Sequence, residues 1–475
     1  MRYDIVIIGG GFGGLICARQ LTRAGRNVLL LERQQQLGGC LQSYQRRGMS
    51  YDTGLHYVGG LAEGQPMHQL FTELGLIDLP WHRLDPEGFD HVTIGQHTYQ
   101  FHEGYDAFVD CMAEYFPHER EALQRYVKML RHAELATEIP DDAMHMMEMN
   151  AYDFLTSLFD DQMLINVLSG TALKTELRRE SLPLYSFAHT MSSYIQSSWR
   201  LKGDGNMIVD ELASDIKKYG GTILCQSEVS ELVEQGGRIT EVHCTNGQVY
   251  EVNTVISDVH PAVTFSWVKQ SYALKGLFRR RINGMQNTFG MFTASLRLKP
   301  ATLPYFNHNK YVYRKANVWS FYEDVGGIGG VMISCRVPAD GSDYTEQVDL
   351  LTPMPWLYLQ RWGDTTVGHR GEDYQRMKQR IADECTELAE TIIPGLRDMT
   401  VERYTSTPLT WRDYTLTPNG SAYGVRKDCR NVMLTTMSPQ TPIANLLLTG
   451  QNLMLHGLEG VARTAQRTID YILNK

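Results

Sequence analysis

The chain has 475 residues, 43% of them hydrophobic and 21% charged, with a formal net charge of −9. At roughly 150 residues per domain this is length for about three domains, and the composition rules out a disordered or collagen-like chain. An excess of 54 Asp+Glu over 45 Lys+Arg argues against a protein that wraps nucleic acid.

The longest apolar runs, Ile5–Ile8, Val28–Leu31 and Leu446–Leu448, have strand length and fall far short of the ~20 residues of a membrane-spanning helix. No basic segment and apolar run of a secretory signal precede the first of them. The eight cysteines (Cys17, Cys40, Cys111, Cys225, Cys244, Cys335, Cys385 and Cys429) form no C-x-x-C pair, so neither structural zinc nor a disulfide framework is expected. The expectation is a reduced, cytoplasmic protein of mixed α/β class.

In chain order, Tyr3–Ile8 is continuously aliphatic, as in a strand buried on both faces of a parallel sheet. It opens into Gly9-Gly10-Gly11-Phe12-Gly13-Gly14, after which Leu15, Ala18 and Leu21 recur at helical spacing. Gly25 ends that helix, and Val28–Leu31 forms a second buried strand closing on Glu32. From about Met67 to Arg200 the pattern is mostly helical and rich in aromatic and methionine residues. A helix over Met207–Tyr219 follows, then strands Thr222–Cys225, Glu228–Glu234, Arg238–Cys244 and Gln248–Ile256, with Asn246-Gly247 as a hairpin turn. Strands are expected at Thr293–Leu298 and Gly330–Arg336, a helix around Tyr374–Ile393, and a last strand Asn445–Thr449 leading through Gly450 to a helix over Val461–Leu473. One βαβ unit cannot close a sheet, so the later strands are expected to complete it and two domains to interleave.

Gly9, Gly11 and Gly14 make G-x-G-x-x-G between a strand and a helix, with the acid Glu32 at the end of the next strand. Gly9 allows the tight turn, Gly11 lets main chain approach a pyrophosphate, and Gly14 lets helix and strand pack closely. The helix N-terminus offers amides to the phosphates, and Glu32 would accept ribose hydroxyls. This is a dinucleotide fingerprint in its proper setting. The second glycine pair, Gly38-Gly39, suits a flavin dinucleotide, whose pyrophosphate the chain must run back beneath. Arg33 reads as a solvated strand-end arginine more simply than as a partner for a 2′-phosphate.

Gly9–Gly14, Glu32, Gly38-Gly39-Cys40 and Tyr51-Asp52-Thr53-Gly54-Leu55-His56-Tyr57 together resemble the retinol saturase branch of the phytoene desaturase and carotenoid isomerase superfamily of FAD oxidoreductases. Ser438–Leu446, Thr449-Gly450-Gln451 and Gly457-Leu458-Glu459-Gly460-Val461 match the same group. Cys40, where desaturases carry arginine, is the saturase-like choice. The resemblance implies a Rossmann-like, glutathione-reductase-type FAD domain, built from residues 1–65, 200–262 and 420–475. It is interleaved with a mixed α+β substrate domain of residues 66–199, mostly helical, and 263–419. Gly9, Gly11, Gly13, Gly14 and Glu32 with Arg33 would hold the ADP half, and Gly38, Gly39 and Cys40 would lie near the pyrophosphate. Val229 would meet the adenine, Gly450 and Gln451 the ribityl chain, and the helix start at Gly460 and Val461 the flavin pyrimidine. A helix dipole there favours the reduced anionic ring.

The implied chemistry is hydride transfer at flavin N5 with carbon–carbon double bonds of a long apolar isoprenoid or polyene lipid, saturation being favoured over desaturation or cis–trans isomerisation. The proton that saturation needs would come from His56, Tyr57, His456 or Glu459, with His56 the first choice. An amine oxidase with aromatics from Trp411 and Tyr414, and a non-catalytic FAD-bound escort protein, are the alternatives. The substrate would enter from a membrane or carrier surface. No second nucleotide-binding unit is present, so the electron partner would be external. Met144–Met149 reads as flexible core filling rather than a metal site, and Leu277-Phe278-Arg279-Arg280-Arg281 as a solvated basic turn rather than a membrane-facing patch.

Overall fold

The computed structural model describes residues 1–136, 140–320 and 327–474. Strand β1 (Arg2–Ile8), helix α1 (Phe12–Arg23) and strand β2 (Val28–Leu31) open the chain. β1 pairs in parallel with β2 on one side and with Val249–Ser257 on the other, and Thr222–Leu224 adds in parallel beyond β2. The free edge of Val249–Ser257 is shared. Its first half pairs antiparallel with Arg238–Cys244 and its last three residues pair in parallel with Leu446–Leu448.

The unbroken apolar character of β1 follows from burial on both faces. Ile5 and Ile7 pack with Leu15, Ala18 and Leu21 of α1, with Ile208 and Leu212, and with Ala462 and Ile469 of the C-terminal helix Gly457–Leu473. Val6 and Ile8 meet Leu29, Leu232, Val242, Val255 and Leu446 on the far side. The last strand and helix are therefore part of the layer that the first thirty residues begin.

A second, mixed sheet runs in the order Thr400–Ser406, Gly290–Leu298, Gln347–Met354, Gly330–Cys335, Asn309–Tyr313, Asp90–Ile94, His97–Phe101. Alternation along its strands divides two cores. Phe292, Ala294 and Leu296 pack on Met377, Ile381 and Leu388 of the helix Glu372–Glu390, whereas Met291, Tyr311 and Leu351 face Phe108, Tyr126 and Phe187 of the helical segment. That segment carries the hairpin Asp90–Phe101, whose short strands turn at Gly95. Five-residue strands are too brief to stand out among helical repeats. The Met144–Met149 run lies partly in the same core, with Met146 and Met147 buried.

The basic run 279–281 lies in a short helix, Gly276–Asn283, not in a turn. Arg279 donates to the carbonyls of Phe265 and Val268, and Arg281 to those of Met433 and Thr436. Arg336, just past Gly330–Cys335 of the second sheet, reaches the separate hairpin Ser43–Asp52, its Nη2 lying 2.6 Å from Oδ2 of Asp52. Asp52 also accepts the Gly205 amide at 2.8 Å, and burial lifts its carboxyl to about 6 against the pull of Arg336. Removing one partner of such a pair leaves a buried charge, so Arg336→Met is expected to cost about 3–5 kcal/mol, read as a lower midpoint of thermal unfolding.

Candidate active site

The C-terminal ends of the parallel strands open onto a cavity that begins at the glycine loop. Gly9 takes φ +101°, accessible to glycine at little cost. A methyl group on Gly14 would run into the Gly9 carbonyl oxygen. Helix α1 therefore starts close against β1, with no side-chain cap and no acidic residue in its first turn. The second glycine pair returns to the same place. The Gly38 amide donates to the Gly10 carbonyl at 2.7 Å, and a methyl on Gly39 would stand 3.3 Å from the Gly11 Cα.

Glu32 lines this end of the cavity and is held by the loop itself, accepting the Gly10 amide at 2.8 Å and the Gln34 amide at 2.7 Å. Burial raises its carboxyl above the usual range despite those bonds. A carboxylate keeps further lone pairs for a ligand hydroxyl. Arg33 and Val229 border the same region, with Arg33 anchored on the Asp413 carbonyl. Asp258, a residue that sequence reasoning passed over, lies at the loop's centre and accepts the Gly14 amide at 3.0 Å.

Cys40, His56, Tyr57, Gln451, His456, Glu459 and Val461 line the cavity farther along. Gly14, Gly450 and Gly460 do not. They allow close packing instead, Gly450 against Asp258 and Gly460 against Leu455. His56 is driven down to about 3 by burial and by the charges of Arg336 and Arg200, so it is neutral near pH 7. His456 is lowered to about 4, chiefly by burial, and its Nε2 donates to the Lys174 carbonyl at 2.8 Å. Its ring lies 4.4 Å from that of Tyr423, whose hydroxyl donates to the Leu173 carbonyl at 2.7 Å. Glu459 pairs with Arg463 at 2.8 Å and stands 3.5 Å from His189 Nε2.

The far end holds an ionisable cluster that the sequence did not announce. Lys174, on the short turn Ala172–Lys174, lines the cavity with its Nζ 3.7 Å over the ring of Tyr194 and 3.5 Å from Asp90 Oδ2. Asp90 also accepts from Tyr57 at 2.8 Å and from Asn309 at 2.8 Å, and the Tyr57 and Tyr311 hydroxyls are 2.7 Å apart. Burial pulls the Lys174 ammonium down to about 8 against the opposing charge of Asp90. Tyr57 is raised well beyond any neutral-pH role by burial and by Asp90. Met291, Met332, Leu351 and Trp411 complete an apolar wall.

An uncapped helix start, a bare double-glycine cradle and an acid at the end of β2 fit an extended flavin dinucleotide. The model of the family described as flavin containing amine oxidoreductase matches residues 12–266, more than half of the chain, and the chain belongs to this family. It is a flavin-dependent oxidoreductase of α/β fold with FAD as its cofactor. The chain is 25% identical to the all-trans-retinol 13,14-reductase of Danio rerio, over 99% of this chain and 86% of that one. It is 22% identical to prolycopene isomerase 1 of an Oncidium hybrid cultivar, over 89% and 75% respectively. Among solved structures, an oxidoreductase from Methanosarcina mazei superposes with a TM-score of 0.68 at 14% identity, covering 99% of this chain and all of that one.

Proposed function

We propose that this enzyme saturates carbon–carbon double bonds of a long apolar polyene of the retinoid or carotenoid class. The similarity to a retinol reductase and a prolycopene isomerase supports the substrate class. The observation that carries the direction is Lys174: one buried ammonium in the wall of a chamber made largely of methionine, leucine and aromatic side chains. Bound FAD supplies hydride exchange at its N5. Saturation also needs a proton, and an amine poised near neutrality gives one better than two histidines held neutral or a glutamate paired with arginine. In this reading Tyr57 and Asp90 hold the ammonium in place. His456 fixes the Lys174 main chain, and His56 and Glu459 border the reacting end.

Gly11 and Gly13 bring the main chain at the start of α1 to the pyrophosphate, Gly9 making the turn and Gly14 the close packing behind it, with Gly38, Gly39 and Cys40 beneath it. Glu32 and Arg33 take the adenosine ribose, and Val229 the adenine. Gln451, packed behind by Gly450, takes the ribityl chain, and the turn through Gly460 and Val461 the pyrimidine edge. Residues 1–65, 200–262 and 420–475 then form the cofactor domain, and 66–199 with 263–419 the substrate domain. Substrate is drawn from a membrane or carrier surface; among the described residues no helix is long and apolar enough to cross a membrane. The amine-oxidase alternative draws on Trp411 and Tyr414, both of which line the cavity, and turnover of an amine is the result that would favour it.

The test is anaerobic. The yellow holoenzyme is photoreduced and mixed with a retinoid or a carotenoid. Reoxidation of the flavin with stoichiometric loss of polyene absorbance is expected. A reduced flavin indifferent to every polyene, or an oxidised one reduced by an amine with peroxide release in air, overturns the reading.

A further inference from the structure

Asp258 follows the strand Val249–Ser257, whose last residue lies opposite Ile8 in the parallel pairing with β1. Its own amide donates to the Ile8 carbonyl at 2.9 Å, so its side chain emerges beside the glycine loop. Oδ2 accepts the Gly14 amide at 3.0 Å. A methyl on Gly11 would stand 2.7 Å from Oδ2, one on Gly13 2.7 Å from Oδ1, and one on Gly450 would overlap Oδ1. Three glycines from two distant segments thus enclose one carboxyl, which lines the cavity together with Gly11 and Gly13.

That is the place where main-chain amides receive a doubly charged pyrophosphate. A carboxylate there repels the phosphates in a medium that screens poorly, whereas a carboxylic acid offers them an O–H donor. The charged neighbour acting on Asp258 is Glu32 from β2, of the same sign. The thiols of Cys17 on α1 and Cys40 beyond Gly39 also face it. Both are pushed up by burial and by Asp258, Cys40 to about 12, and stay neutral. Burial lifts the Asp258 carboxyl to about 7, Glu32 adding to the rise and the Gly14 amide opposing it.

We infer that Asp258 meets the FAD pyrophosphate as a neutral carboxylic acid, donating its proton to a phosphate oxygen while the Gly14 amide holds its other oxygen, so that flavin affinity weakens as this group ionises. The inference rests on the FAD assignment and is independent of the polyene substrate. The sign follows from linkage. The protonated form binds, so FAD is held most tightly below neutrality and released as pH rises through it.

The FAD dissociation constant of the holoenzyme is measured by equilibrium dialysis from pH 6 to 9. In the unmodified protein it should rise above neutrality, by up to about tenfold per pH unit. Asp258→Asn, which keeps the shape and a donor, should flatten that rise to within about twofold and bind FAD more tightly than the parent at pH 9. Asp258→Ser is the second uncharged variant and should also be flat. Lys174 and Lys427, which burial brings to about 8 and about 7, are unchanged in both variants, so only the slope lost on substitution counts. A flat parent profile, an equal slope in the variants, or weaker binding by Asp258→Asn at every pH overturns the inference. A holoenzyme that carries no flavin at any pH would remove the FAD assignment as well.

Discussion

Lys174→Met should slow reoxidation of the photoreduced enzyme by a polyene by roughly 10²- to 10⁴-fold, the usual contribution of a positioned general acid. Photoreduction itself should proceed at the parent rate, because the side chain lies at the far end of the cavity rather than in the glycine loop. Methionine keeps the length and apolar stem and removes only the charge. Asp90 retains its bonds from Tyr57 and Asn309 but loses its cation in a buried site, so a lower midpoint of thermal unfolding is expected as well and the rates are compared well below it. The pH dependence carries the sign. The ammonium donates and the free amine does not, so the parent rate is level at low pH and falls as pH rises through about 8. The variant's residual rate should lack that limb. An unchanged rate, or the same limb in Lys174→Met, would remove Lys174 as the acid and return the role to another group.

Gly14→Ala should yield a folded protein that loses its flavin on purification. The added methyl meets a backbone oxygen, that of Gly9, which cannot swing aside as a side chain could. Overpacking of this kind costs about 1–3 kcal/mol, and at 1.4 kcal/mol per decade that is a loss of FAD affinity of up to roughly 5- to 140-fold. The loss arises because α1 is pushed off β1 and its amides no longer converge on one point. Gly25→Ala, at a positive-φ position with nothing within 4 Å, is the control. It adds conformational strain, which Gly14→Ala does not, but no collision, and flavin absorbance per protein should stay near parental. Equal flavin loss in both variants would attribute the effect to general destabilisation.

The cofactor half was legible because its signals are local. Four consecutive aliphatic residues state a strand buried on both faces, and glycines at fixed spacing state a turn that a phosphate approaches. The chamber was not legible. Lys174 and Asp90 are 84 positions apart, and Tyr57 and Tyr311 are 254 apart. Lone ionisable residues carry no spacing that would join them before the second sheet and the helical segment meet. The hairpin that brings Asp90 there is hidden because its two strands have only five residues each within a helical stretch. His56 stood out by its motif, yet its protonation depends on Arg200 and Arg336, which no local pattern reveals. Asp258 was within reach. It is the first ionisable residue after the strand expected at Gln248–Ile256, and the strand's parallel pairing with β1 is what puts it beside Gly9.

The shared edge of Val249–Ser257 has a consequence during synthesis. Leu446–Leu448 fills the second half of that edge, and the helix behind it covers α1. A nascent chain can pair β1 with β2 early, but the layer gains its last parallel strand only once residues beyond 446 have left the ribosome. Until then the flank of α1 that packs on Ala462, Ala465 and Ile469 is uncovered, and exposed apolar surface of this kind is prone to aggregate. A chain ending before residue 440 is therefore expected to hold no flavin, which its absorbance would show.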